Sequence, residues 1–92
     1  MDRFEDLQAF VAVVEAGSFT AAAERLGAAK SVVSRRVSAL ERRLGVQLMH
    51  RTTRRLSLTD TGRSFYEESA RILADLEEAE SAAQEEHGEL RG

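Results

Sequence analysis

The stretch SFTAAAERLGAAKSVVSRRVSALERRL, residues 18–44, decides the fold. It holds two short helical patterns joined by Gly27-Ala28-Ala29. The first, over about 20–27, is rich in Ala and presents Phe19, Ala22, Ala23 and Leu26 as its apolar set, with Ser18 or Thr20 as the cap. Gly27 suits the tight turn, because without a Cβ it enters the left-handed region at no steric cost. The second pattern, over about 31–44, places Val33, Val37, Leu40 and Leu44 at i, i+4, i+7 and i+11, a stripe that must face a core. On another face stand Ser31, Ser34, Arg35 and Ser38, short polar groups and one Arg with no acid among them. Two helices, a Gly-containing turn and a polar stripe on the second helix make a helix-turn-helix pattern.

The flanks extend it. Upstream, Leu7, Phe10, Val11 and Val14 form one apolar face of a helix over 3–16, which Gly17 stops. Downstream of Gly45, Val46 and Leu48, then Leu56 and Leu58, keep period-two spacing on two short runs. Between them lies His50-Arg51-Thr52-Thr53-Arg54-Arg55, so the segment reads as a β-hairpin with a basic tip, although it lacks the Asn-Gly turn signal. Thr59 or Asp60 caps a last helix, expected over about 61–86 with a frayed tail from Glu86 to Gly92. In that helix Phe65, Ser69, Ile72, Leu76, Ala79 and Ala83 are spaced 4, 3, 4, 3, 4, the seam of a coiled coil. The helix is too long to bury that seam on its own small domain, which points to homodimerisation through Phe65, Ile72, Leu76, Ala79 and Ala83. A helix folded back on its own domain is the lesser alternative. The fold class is therefore mainly α: a winged helix-turn-helix of three helices and a two-stranded β wing over 1–60, then a long dimerisation helix over 61–92.

The charge is segregated. The net charge is -3, but residues 25–63 carry ten basic residues against two acids, Glu41 and Asp60, for a local +8. Residues 1–24 sum to -4 and residues 64–92 to -7. A basic centre between acidic ends suggests a polyanionic partner for the centre alone. The geometry suits double-stranded DNA. The major groove admits one helix, whose base-facing side chains must be small or hydrogen-bonding; Arg can grip guanine through two bonds and Ser serves several bases. The wing would reach phosphates or a narrow minor groove. The helix start near Ser18 and Thr20 would hold a phosphate with backbone N–H groups.

Other classes find little support. There is no Cys, so neither a disulfide framework nor a thiolate metal site is available. His50 and His87 lie far apart in sequence, and no metal or cofactor is expected. Glu67-Glu68, Glu77-Glu78 and Glu85-Glu86 are adjacent pairs, which on a helix do not face each other, so they read as a solvated face. No catalytic constellation appears, and an enzyme is set aside. No apolar run reaches the roughly 18 residues of a membrane span, and the acidic N-terminus is no leader peptide, so a cytoplasmic location is expected. The acidic segment 64–92 leaves one competing reading, a protein-interaction module that reads no DNA.

The ordered set GSFTAAAERL, VSRRVSALE, LGVQL followed by HRTTRR, and LSLTDTG resembles the N-terminal domain of LysR-type transcriptional regulators over about residues 4–62. A molybdate-responsive winged-helix regulator is the nearest alternative of the same class. The resemblance implies a bacterial transcription factor that dimerises through antiparallel linker helices and binds inverted-repeat sites. It implies that Lys30, Ser31, Ser34 and Arg35 sit on the recognition helix facing DNA. With Ser18, Thr20, Arg36, His50, Arg51, Thr53 and Arg54 they complete the expected DNA-binding set. Lys30 stands where the family often has Gln, and Ala29 where it often has a capping Ser, so the cap is expected to shift to Ser31. Met49 replaces a usual Phe, a tolerated core exchange. The family's effector-binding domain would follow the linker helix, so sensing of a small-molecule effector is expected outside this chain.

Overall fold

The computed structural model describes residues 2–51 and 56–91. Four helices and one hairpin follow in order: α1 (Arg3–Ala16), α2 (Phe19–Leu26), α3 (Lys30–Leu44), β1 (Met49–His50), β2 (Ser57–Leu58) and α4 (Asp60–Arg91). Asp2 starts α1 by accepting from the amides of Phe4 at 3.0 Å and Glu5 at 3.3 Å. This helix is the centre of the domain, with α2, α3 and the start of α4 packed around it. Hence Ala9, Phe10, Val11, Ala12 and Val13 are all buried, a wider surface than a one-faced stripe provides.

The two helices after it form as the sequence predicts, with shifted ends. Ser18 is the cap of α2, its Oγ accepting from Ala21 N at 3.0 Å, so α2 starts at Phe19 and Thr20 is a helical residue. Gly27 takes φ +65° and closes the turn. The cap does not move to Ser31: α3 starts at Lys30 behind Ala29, which offers no side-chain bond. Val33, Val37 and Leu40 are buried against α1, worth about 2 kcal/mol each. Leu44, expected inward, is 38% exposed, because Gly45 ends the helix as it leaves the core.

The hairpin is shorter than its alternating pattern suggests. Met49 pairs with Leu58 and His50 with Ser57, antiparallel. Val46 is exposed and outside the strand, while neighbours Leu48 and Met49 are both fully buried. Strict alternation fails because Leu48 lies before the strand and under α4.

Thr59 is the cap of α4: its Oγ1 accepts from Gly62 N at 2.8 Å and donates to the Gln47 carbonyl at 2.7 Å. The helix runs to Arg91, past the expected end at 86, giving about 48 Å at 1.5 Å per residue. Its first part is tied to the domain. Gly62 and Ser69 are buried, and Phe65, Tyr66 and Leu73 pack on the core. Phe65, expected on the dimer seam, turns inward to Phe10, with ring centroids 5.8 Å apart and the planes tilted by 44°. Heptad spacing fixes a stripe, not the neighbour that covers it. Only from Ile72 onward does the stripe face outward: Ile72 is 54% exposed, Leu76 40%, and Ala79 and Ala83 are exposed.

Ser69 Oγ is buried without a hydrogen-bond partner among the described residues. A buried hydroxyl of this kind carries an uncompensated desolvation cost, and Ala is the better helix former. Ser69→Ala is therefore expected to stabilise the fold by about 1 kcal/mol in thermal melting. Destabilisation would mean that the hydroxyl is satisfied in solution.

Candidate nucleic-acid interface

The polar stripe of α3 emerges where the sequence places it. Lys30, Ser31 and Arg35 are exposed and Ser34 is half-buried at the base of the same face. Arg35 makes no ion pair among the described residues. The start of α2, with exposed Ser18 and Thr20, is the other end of the motif. On the wing side, His50 is exposed in β1. Thr53 and Arg54 lie outside the described residues.

Two of the expected contacts are turned elsewhere. Arg36 is half-buried and reaches Glu5 of α1, 3.5 Å away. Arg51 bridges to Glu41 at 3.2 Å, donates to Ser38 Oγ at 3.0 Å and lies 5.5 Å from the ring centre of Phe19. Ser38 is thereby occupied as well. Both Arg residues have acids of their own domain within reach, and Arg51 also has an aromatic face.

Glu41 is the residue that sequence reasoning passed over. Its Oε2 accepts from Leu48 N at 2.8 Å and Met49 N at 3.1 Å, while its Oε1 holds Arg51. A weak signal existed. Glu41 is one of two acids among ten basic residues, and an acid kept in such company has something to hold. Glu15 is a second such anchor, bridging Arg25 of α2 at 2.9 Å and accepting from the Tyr66 hydroxyl of α4 at 3.1 Å. Partial burial, and then this bond to Glu15, push the Tyr66 hydroxyl above the usual tyrosine range. These links tie α2 and α4 to α1, and so fix the frame on which the α3 stripe is presented.

Among the described residues no helix is long and apolar enough to cross a membrane. Residues 4–63 match the model of the bacterial regulatory helix-turn-helix proteins of the lysR family. An HTH-type transcriptional regulator of Xanthomonas campestris pv. campestris is 57% identical over 77 residues, covering 84% of this chain and 22% of that protein. The regulator CrgA of Neisseria meningitidis is 52% identical over 77 residues, covering 84% of this chain and 26% of its own length. The chain thus spans about a quarter of these two relatives. Among solved structures, the BenM DBD in complex with catB site 1 DNA superposes with a TM-score of 0.85 at 36% identity, covering 92% of this chain and 93% of that one. The structure of CrgA superposes with a TM-score of 0.73 at 50% identity, covering 87% of this chain and 27% of that one.

Proposed function

Because the chain belongs to the lysR family of bacterial regulatory helix-turn-helix proteins, we propose that it is the sequence-specific, double-stranded-DNA-binding part of a transcriptional regulator. The observation that carries the reading is the exposed stripe Lys30, Ser31 and Arg35 on α3, set inside a segment of charge +8. In this reading α3 lies in the major groove, with Lys30, Ser31, Ser34 and Arg35 toward base edges. The start of α2, at Ser18 and Thr20, meets a phosphate. His50, Thr53 and Arg54 supply the wing's contacts to backbone or minor groove. The similar fold of the BenM DBD, solved with catB site 1 DNA, supports this use of the surface.

Residues 1–60 serve as the reading unit and 61–92 as the linker helix. Two copies associate through Ile72, Leu76, Ala79 and Ala83, whose apolar surface is exposed on a helix that outruns its domain. A two-fold dimer reads an inverted repeat. The chain acts by binding, not by catalysis, in the bacterial cytoplasm. A small-molecule effector is read by another part of the regulator.

The test is the salt dependence of duplex binding, followed by fluorescence anisotropy from about 50 to 200 mM salt. Affinity should fall steeply, by the counterion release that accompanies phosphate contacts. Arg54→Ala should weaken binding to all sequences alike and lower the slope of log K against log salt by about one per subunit. Weak, salt-insensitive retention indifferent to Arg54 would favour the protein-interaction module.

A further inference from the structure

We propose that Arg51 and Glu41 form a latch that sets the wing against the recognition helix, and that Arg51 is a positioning residue and not a phosphate contact. The inference rests on the DNA-binding reading above. Glu41 sits on α3 one turn beyond Ser38 and, with its side chain 16% exposed, is largely sheltered. One of its oxygens takes the two backbone amides that lead into β1, Leu48 and Met49. The other takes Arg51, the residue that follows β1. One carboxylate on the recognition helix therefore grips the first wing strand at both ends. Arg51 adds Ser38 of α3 and the ring of Phe19 at the start of α2. The three elements that would meet DNA are joined at this point, and a shift of the wing relative to α3 must break a charge-assisted bond.

The planar guanidinium is what the arrangement needs. It pairs with Glu41 through one nitrogen and donates to Ser38 through another while lying against an aromatic ring. An ammonium supplies the same charge without the fork or the flat face. Lysine thus separates the two roles: it would replace Arg51 at a phosphate but not in the latch. Glu41 separates them by sign. If Arg51 were a phosphate contact restrained by Glu41, Glu41→Gln would free it, remove a negative charge near DNA and tighten binding. If the latch positions the wing, the same change weakens binding.

The experiment measures Glu41→Gln, Arg51→Lys and the double variant for melting temperature and for affinity to one chosen duplex over a salt series. The latch predicts that each single variant binds about tenfold more weakly with the salt slope unchanged, and that the double variant is little worse than either. It predicts the same non-additivity in melting temperature. Tighter binding by Glu41→Gln, or wild-type affinity in Arg51→Lys, would overturn it, as would additive losses. The two readings fail differently. If the wild-type chain binds no duplex, the DNA reading falls and the positioning role falls with it, whereas the melting cycle still reports whether the two side chains are coupled. If the wild type binds and the cycle is additive, the latch alone is overturned.

Discussion

Gly62→Ala is expected to destabilise the domain by about 3 kcal/mol, a fall in melting temperature of more than about 10 °C for a chain of this size. A Cβ added at Gly62 would stand 1.9 Å from the carbonyl oxygen of Leu48 and 2.8 Å from its carbon. Neither is the far end of a flexible side chain. That carbonyl is already held, accepting from Thr59 N at 3.0 Å, and Leu48 is fully buried beneath it. The first turn of α4 can therefore rest on the backbone of Leu48, just before β1, only with a bare Cα. Helix propensity makes the opposite prediction: an ordinary Gly inside a helix gains up to about 1 kcal/mol on conversion to Ala. The sign of the measured change decides between close packing and propensity. A melting temperature equal to or above wild type would contradict the described seating of α4.

Arg35→Ala is expected to leave the fold intact and to flatten base preference at one position of each half-site, by about 1–3 kcal/mol. Arg36 reaches Glu5, and Arg51 reaches Glu41 and Ser38, whereas Arg35 projects from the exposed stripe with no ion pair among the described residues. Its loss should hardly affect the melting temperature. Binding measured against a panel of single-base variants of the preferred site should show the effect confined to one base pair. An equal loss over all sequences, with a reduced salt slope, would move Arg35 to the phosphates.

The contrast among these arginines marks where sequence reading stops. Local chemistry was legible: the Ser18 cap, the turn at Gly27, and the buried spacing of Val33, Val37 and Leu40 depend on residues close in sequence. The composition of the α3 stripe was legible too. Long-range pairing was not. Nothing local says that Arg51 would meet Ser38, thirteen positions earlier, and so leave the expected set of free contacts. Nothing in the heptad spacing says that Phe65 would pack on Phe10 while Ile72 and Leu76 stay outside. The spacing fixes an angle around the helix axis, and tertiary packing decides which part of that angle is already filled. Gly62 shows the same limit: a Gly in the first turn of a helix looks like a weakness until the carbonyl beside it is seen.

In the proposed reading, two copies of this chain together read one DNA sequence. Selection from random duplex DNA, with the 92-residue chain at fixed moderate salt, tests it most directly. An enriched inverted repeat, its half-sites about one helical turn or more apart, is the predicted result. A single enriched half-site would keep the recognition helix and remove the dimer. Duplex recovered with no enrichment, or no duplex recovered, would contradict sequence reading by these residues.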